Sequence, residues 1–447
     1  MSYPTPLIER VFVLIATGFL ALGMVACGDD GTGANSNSGE NNDNGNSDNH
    51  NSENGDSGDI SFAFERVSVG EDGQESQSDS SNPSVSADGR FVAFESRASE
   101  FVDSVDNELL DIYVYDRETE EMTLASVDKD GNHAEDGADG SMNASISADG
   151  RFVAFESLVL EDVEFPSRQI YVRDLQEEQT HLISRDSEGE VAGETSRFPS
   201  ISDDGRYVAF RSDWNMIDGE AHEEQAGLQH NGQIYRHDRE SGETIRVSRN
   251  AAGEMASATD GELILTGDPA ISGNGQYITF STNAENLVET DVGPGANIYL
   301  RDVTSHEITV ISASTAEHEI SGSGTHSSIS ADGRYVTFDA GGIYIRDRQE
   351  DTLEPIEGPP GTTPHNLATI SDDGNYLAYL GSSSAHWHDR EAGEGHRVLT
   401  DDGVPGNVSD VSISGDGSSV VFASDSTELV DGIANDSSDI FVVEVEK

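Results

Sequence analysis

The chain has 447 residues, of which 86 are Asp or Glu and 24 are Lys or Arg, so its formal net charge is −62. That charge repels phosphates, which excludes DNA and RNA as partners, and it predicts a monomer at low salt. The single cysteine excludes any disulfide within the chain.

In chain order, the first element is an apolar run from Val11 to Ala26 preceded by Arg10. It is shorter than a membrane span requires. The run ends Gly23-Met24-Val25-Ala26-Cys27, which resembles the lipobox of bacterial lipoproteins, with Met24 where Leu is usual. Residues 1–26 are therefore expected to be a signal peptide. The resemblance implies cleavage before Cys27 and a diacylglyceryl group on its sulfur. The alternative is a buried core cysteine, and the position at the end of the apolar run favours lipidation. Residues 27–59 are nearly all Asn, Gly, Ser, Asp and Glu. Such a segment buries no apolar surface and reads as a disordered tether. Gly28, rather than Asp, after the cysteine resembles outer-membrane sorting in Gram-negative envelopes. The expected location is the cell envelope, periplasmic or surface-exposed, with the lipid as the membrane contact.

From residue 60 onward one phrase recurs. Ser86-Ala87-Asp88-Gly89 precedes the strand Phe91-Val92-Ala93-Phe94, and equivalents follow at Asp149-Gly150, Asp204-Gly205, Asn274-Gly275, Asp332-Gly333, Asp373-Gly374 and Asp416-Gly417. Self-similarity at a period of tens of residues marks a repeat architecture. The glycine supplies the positive φ that a tight hairpin needs, and the Asp can accept nearby backbone N–H groups. The strand after the turn is apolar on both faces, as expected of a sheet sandwiched between sheets. The strand before it is small (Ser84, Ser86), which suits a crowded central axis. A third strand follows (Asp111-Ile112-Tyr113-Val114-Tyr115), then a fourth at Thr123 to Val127. Four short strands per repeat, arranged radially, make a β-propeller. The last repeat stops after its third strand, and Ser61 to Val69 matches the fourth-strand pattern. The expected fold is an all-β, seven-bladed propeller of four-stranded antiparallel blades, residues 60–447, with the N-terminal strand closing the last blade.

These repeats resemble the TolB-type, WD-repeat-like propellers. The resemblance implies envelope proteins that scaffold protein contacts, and related propellers also serve in peptidases and lyases. The acid-rich composition, with lysine only at Lys129 and Lys447, resembles that of proteins from saline habitats.

Connections between second and third strands are long in five repeats: 95–110, 156–168, 211–232, 281–296 and 423–438. They are short in the fifth and sixth repeats. Long ordered loops on a rigid scaffold are where binding resides, so the long-loop face is the expected functional face. Two of these loops space oxygen ligands alike: Asp103, Asn107 and Asp111, and Asp431, Asn435 and Asp439. Ca²⁺ suits such ligands; the competing reading is capping of the loop by Asx turns. His386 and His388 lie on one side of a strand, a zinc-compatible spacing. They also stand where Tyr113 and Tyr115 stand in the first repeat, which reads as aromatic replacement. Trp214, in the longest loop, is either a binding anchor or the packing of the loop base. Asp213, His222 and His230 on that loop are where catalytic groups would first be sought. His222-Glu223-Glu224 lacks the second histidine of a zinc-protease helix, and no nucleophile elbow or phosphate loop is present.

The sequence therefore predicts a non-catalytic binding or scaffolding module for an envelope protein or a cell-surface glycan, with no cofactor other than possible Ca²⁺ sites. The competing expectation is a propeller lyase or hydrolase acting on polysaccharide or peptide.

Overall fold

The computed structural model describes residues 60–447 except 71–72, 103–104, 106–108, 134–139, 159–166, 215, 217–231, 258–265, 290–291, 293–294, 316–317, 319, 321, 360–363, 382–383, 399–406, 431–432, 434–436 and 447. The expectations for the signal peptide, Cys27 and the tether lie outside the described residues. Among the described residues no helix is long and apolar enough to cross a membrane.

The described strands form seven four-stranded antiparallel sheets. In the first blade the strands run outward from the axis as β2 (Ser80–Val85), β3 (Phe91–Ser96), β4 (Asp111–Asp116) and β5 (Glu121–Leu124). The last blade has only three strands of its own, and β1 (Ser61–Arg66) pairs antiparallel with its third strand, Asp439–Glu446, to complete it. The ring is thus closed by the N-terminal strand, as the sequence predicts. Arg117 of the first blade reinforces this seam: its Nη1 donates to Glu444 at 2.6 Å and its Nε to Glu65 at 2.8 Å.

The Ser-x-Asp-Gly phrase is a hydrogen-bonded unit. Ser86 Oγ donates to Asp88 Oδ1 at 2.7 Å and accepts the N–H of Phe91, while Asp88 accepts the N–H of Arg90. The same pattern recurs at Ser147, Ser202, Ser330 and Ser371. The glycine has a second duty between blades. Gly150 adopts φ +73°, and a Cβ there would lie 2.0 Å from the ring of Phe91 in the preceding blade. Gly205 meets Phe152 in the same way, and Gly275 meets Tyr207. Six of the seven turns are therefore seated on the aromatic residue that begins the preceding blade's second strand; Gly89 instead meets Ser419. Arginines after the Asp-Gly turns grip the third strand of their own blade, as Arg90 does Asp116 and Arg151 does Asp174, both at 2.7 Å.

Apolar clusters lie between adjacent blades. Val92 and Phe94 pack with Val421 and Ile440 of the last blade. Ala93, one residue along the strand, packs with Val153 and Phe155 of the second blade. That alternation is the two-faced burial expected of the second strand.

The outer strand differs from its predicted span. It ends at Leu124 because Ser126 turns inward: its Oγ donates to Asp111 Oδ1 at 2.7 Å and accepts the N–H of Ile112. Ser184 with Gln169, Ser248 with Gln233, Ser312 with Asn297 and Ser68 with Asp439 repeat this clasp.

Candidate binding site at the channel mouth

The antiparallel order places the second-to-third loops at the end of the ring where the innermost strands begin. At that end the innermost strand carries a β-bulge in six blades, as between Ser81 and Ser84 and between Met142 and Ser145. The bulged residues are Asn82, Asn143, Phe198, His326, Leu367 and Asp410, all non-glycine residues with φ between 37° and 57°. Left-handed backbone at such residues is strained, and strain of this kind clusters at functional sites. In the fourth blade the inner strand is short (Ala270–Ile271) and Asp268 occupies the equivalent position. All seven residues line one cavity of about 320 Å³ at the channel mouth.

Behind this ring stands a second one at the ends of the second strands. Glu95 is 3% exposed, accepts Asn82 Nδ2 at 2.8 Å, and reaches across to accept the N–H of Asn143 in the next blade at 2.6 Å. Glu156 likewise accepts the N–H of Phe198 in the third blade at 3.0 Å, and Asp339 that of Leu367 in the sixth at 3.1 Å. These carboxylates hold the bulges of their neighbours in place. Burial pushes the Glu95 carboxyl up to about 7, with the charges of Asp410 and Glu156 adding to the rise. Burial also raises Glu156. Asp268 keeps contact with solvent, yet the surrounding wall raises its carboxyl as well. His326 Nδ1 lies 3.2 Å from Asp339 Oδ2, and that carboxylate raises the imidazole above its ordinary value.

The opposite end of the channel is narrow. Backbone bonds link the Ser-x-Asp-Gly x residues from blade to blade: Ala87 N–H to Ala148 O, Ala148 N–H to Asp203 O, and Asp203 N–H to Gly273 O, at 3.0 to 3.1 Å. Gly273 and Gly415 leave room there for the carboxylates of Asp203 and Asp372. On the outer rim, a hollow of about 500 Å³ between the second and third blades is lined by Lys129, His181, Arg185, His237 and Arg239. Two of these serve packing: His237 Nδ1 is 2.8 Å from Thr244 Oγ1, and Arg239 donates to Gly205 O at 2.6 Å while covering Phe152.

Of the residues singled out in the sequence, Asp103, Asn107, Asp431, Asn435, His222 and His230 lie outside the described residues. Asp111 and Asp439 are each 1% exposed and hold the serine clasps, in the register where other blades carry Gln169, Gln233 and Asn297. His386 occupies the register of Tyr113 and stacks on Tyr379 with ring centroids 5.1 Å apart. Its Nε2 lies 3.0 Å from Gly381 O. Among the described residues no three His, Cys, Asp or Glu side chains converge as a metal site would require. Trp214 packs at the loop base, where a Cβ on Gly193 would come within 2.6 Å of its ring. Asp213 accepts Arg211 Nη2 at 3.4 Å. Sequence reasoning missed the mouth ring. Its one legible signal was position, since each member stands four residues before the serine of Ser-x-Asp-Gly, or of Ser-Gly-Asn-Gly in the fourth blade.

The architecture defines a seven-bladed β-propeller, and a solved β-propeller domain is among the structures it resembles. An oligogalacturonate lyase from Vibrio parahaemolyticus superposes with TM-score 0.51 at 15% identity, covering 87% of this chain and 98% of that one. The β-propeller domain of the Trilobed protease from Pyrococcus furiosus gives 0.50 at 12% identity, covering 83% and 97%. TolB from Acinetobacter baumannii matches at 16% identity over 66% of this chain and 62% of its own, with TM-score 0.36. At these identities the likeness is one of fold. No protein-family profile and no curated protein sequence matches the chain.

Proposed function

We propose that this protein is a non-catalytic binding propeller of the cell envelope, tethered through a lipid on Cys27, that takes its partner at the channel mouth on the long-loop face. One observation carries the binding site: six left-handed, non-glycine bulges at a single register present five residue types to one cavity. A purely structural ring would repeat its residue type, as the Asp-Gly turns do. Concave sites with a few oriented polar groups are the usual form of a binding pocket. The partner is an envelope protein or a cell-surface glycan.

In-cell crosslinking of the acylated protein, followed by affinity capture, tests this reading. Asp410→Arg, with an unchanged melting temperature, should lose the captured partner. Capture that is indifferent to this variant and to shortening of the 211–232 loop would overturn it. For the anchor, Cys27→Ser should release the protein from membranes; retention would overturn lipidation.

A second reading, a lyase or hydrolase acting on polysaccharide or peptide, rests on His326. An imidazole held by a buried carboxylate beside a cavity is the arrangement of an acid or base with its orienting partner. Turnover of a polyuronate or peptide that His326→Ala abolishes would establish that reading in place of the first.

A further inference from the structure

We propose that the channel mouth receives one cationic side chain, lysine or arginine, of a partner polypeptide. This deepens the binding reading and rests on it.

The polar groups of the ring are not arranged at random. Asn82 gives its amide N–H to Glu95 at 2.8 Å, and the Asn143 amide bonds the Glu156 carboxylate. An amide whose N–H₂ is held by a buried carboxylate has its oxygen left to accept. Asp410 lies in the blade adjoining Asn82, so the seventh, first and second blades offer three acceptors in succession. Asp268 adds a carboxylate on the far side of the mouth. The imidazole already in the ring, His326, is engaged by Asp339. Asp339 is itself 5% exposed and stands behind the cavity wall rather than in its lining.

Phe198 and Leu367 stand at the two ends of the acceptor arc, in the third and sixth blades. A lysine or arginine needs this combination: apolar walls for its methylene stem and acceptors for its head. An ammonium brings three donors and a guanidinium five, with none of the acceptor capacity that the mouth could not answer. A uronate or phosphate would meet like charge. An uncharged sugar would gain nothing from the charges on Asp268 and Asp410. The cavity of about 320 Å³ admits a side chain and its flanking backbone rather than a folded surface. The net charge of −62 would steer a basic segment toward the protein.

The test is calorimetry on the full chain in about 1 M NaCl, where the Debye length is about 3 Å and diffuse attraction is screened. The ligands are N-acetyl-arginine amide, N-acetyl-lysine amide, the neutral N-acetyl-citrulline amide, and glucosamine. The cationic amino acids should bind at a single site, and citrulline about ten-fold more weakly or worse. Asp410→Asn and Asp268→Asn should each weaken arginine binding by about ten-fold, since a charge-assisted bond becomes a neutral one. Glu188→Gln, an exposed carboxylate on a remote turn, should leave binding unchanged. Equal binding of citrulline, or multi-site uptake that Glu188→Gln reduces as much as Asp410→Asn does, would overturn the proposal. Glucosamine binding as tight as arginine would also overturn it, by pointing to an amino sugar. Should crosslinked capture still depend on the mouth while both cationic ligands fail to bind, the cation assignment falls and the binding function stands.

Discussion

Glu95 of the first blade accepts the backbone N–H of Asn143 in the second at 2.6 Å, so a buried carboxyl fixes the strained bulge of its neighbour. The bond joins the second strand of one blade to the innermost strand of the next, two strands that pair with other partners. It therefore ties the shape of the channel mouth to the protonation of one group.

The first prediction concerns that group. Burial raises Glu95 from about 4.5 to about 7. Between those values the folded state holds a proton that the unfolded state has lost, so this group's contribution to stability falls as pH rises through the window. Above the window the full cost is on the order of 3 kcal/mol. Glu95→Gln keeps an acceptor for Asn143 and removes the titration. It should match the wild type near pH 4.5 and exceed it by up to about 3 kcal/mol at pH 8, read by urea unfolding. A variant weaker than wild type at both pH values would show that the ionised carboxylate is what holds the blades.

Contact between blades gives a second prediction. Gly150→Ala would place a methyl 2.0 Å from the Phe91 ring at φ +73°, whereas Gly131, at φ +82°, has open space around it. Gly131→Ala should cost about 1–2 kcal/mol, the left-handed penalty alone. Gly150→Ala should cost about 3 kcal/mol or more, because overpacking is added to it. Equal losses in thermal unfolding would mean that the turn, and not the aromatic seat, sets the constraint.

Ring closure is open to a third test. Arg117 bonds Glu444, Glu65 and the carbonyl of Gly89 at 2.6 to 2.8 Å, all across or beside the seam. Arg117→Ala should destabilise by about 2 kcal/mol, since Glu65 loses its donor and Glu444 keeps only Ser419. Deleting residues 61–66 should do more. It exposes the edge of the last blade, and concentration-dependent association should appear in sedimentation. A truncated chain that stays monomeric with an unchanged melting temperature would show that β1 does not seal the ring.

The serine clasps yield a fourth. Burial raises the Asp111 carboxyl, and Asn297 fills the same register in the fourth blade. Asp111→Asn should therefore leave stability at pH 7 unchanged or increased by about 1 kcal/mol. The calcium reading predicts the reverse in millimolar Ca²⁺: a rise in melting temperature for wild type that the variant lacks. No rise for wild type would sink that reading.

The sequence by itself determined the repeat, the number of blades, the turn chemistry and the closure by the N-terminal strand. All but closure are local, and closure, which pairs strands far apart in the chain, was readable because Ser61 to Val69 match the fourth-strand pattern. A period-two strand, a glycine at positive φ and a serine that bonds an aspartate two residues on are each set by neighbours within a few positions. It also marked Trp214 and the histidines of the sixth blade; Trp214 lies against Gly193, and His386 stacks on Tyr379. Only the tertiary structure decided the channel mouth. Asn82, Asn143, Phe198, Asp268, His326, Leu367 and Asp410 span five residue types, so no motif announces them. They converge because a bulge at one register turns six of them toward the axis, and because Glu95, Glu156 and Asp339 reach from one blade to hold the next. Convergence of that kind is a property of the closed ring, whose members are separated by tens of residues along the chain.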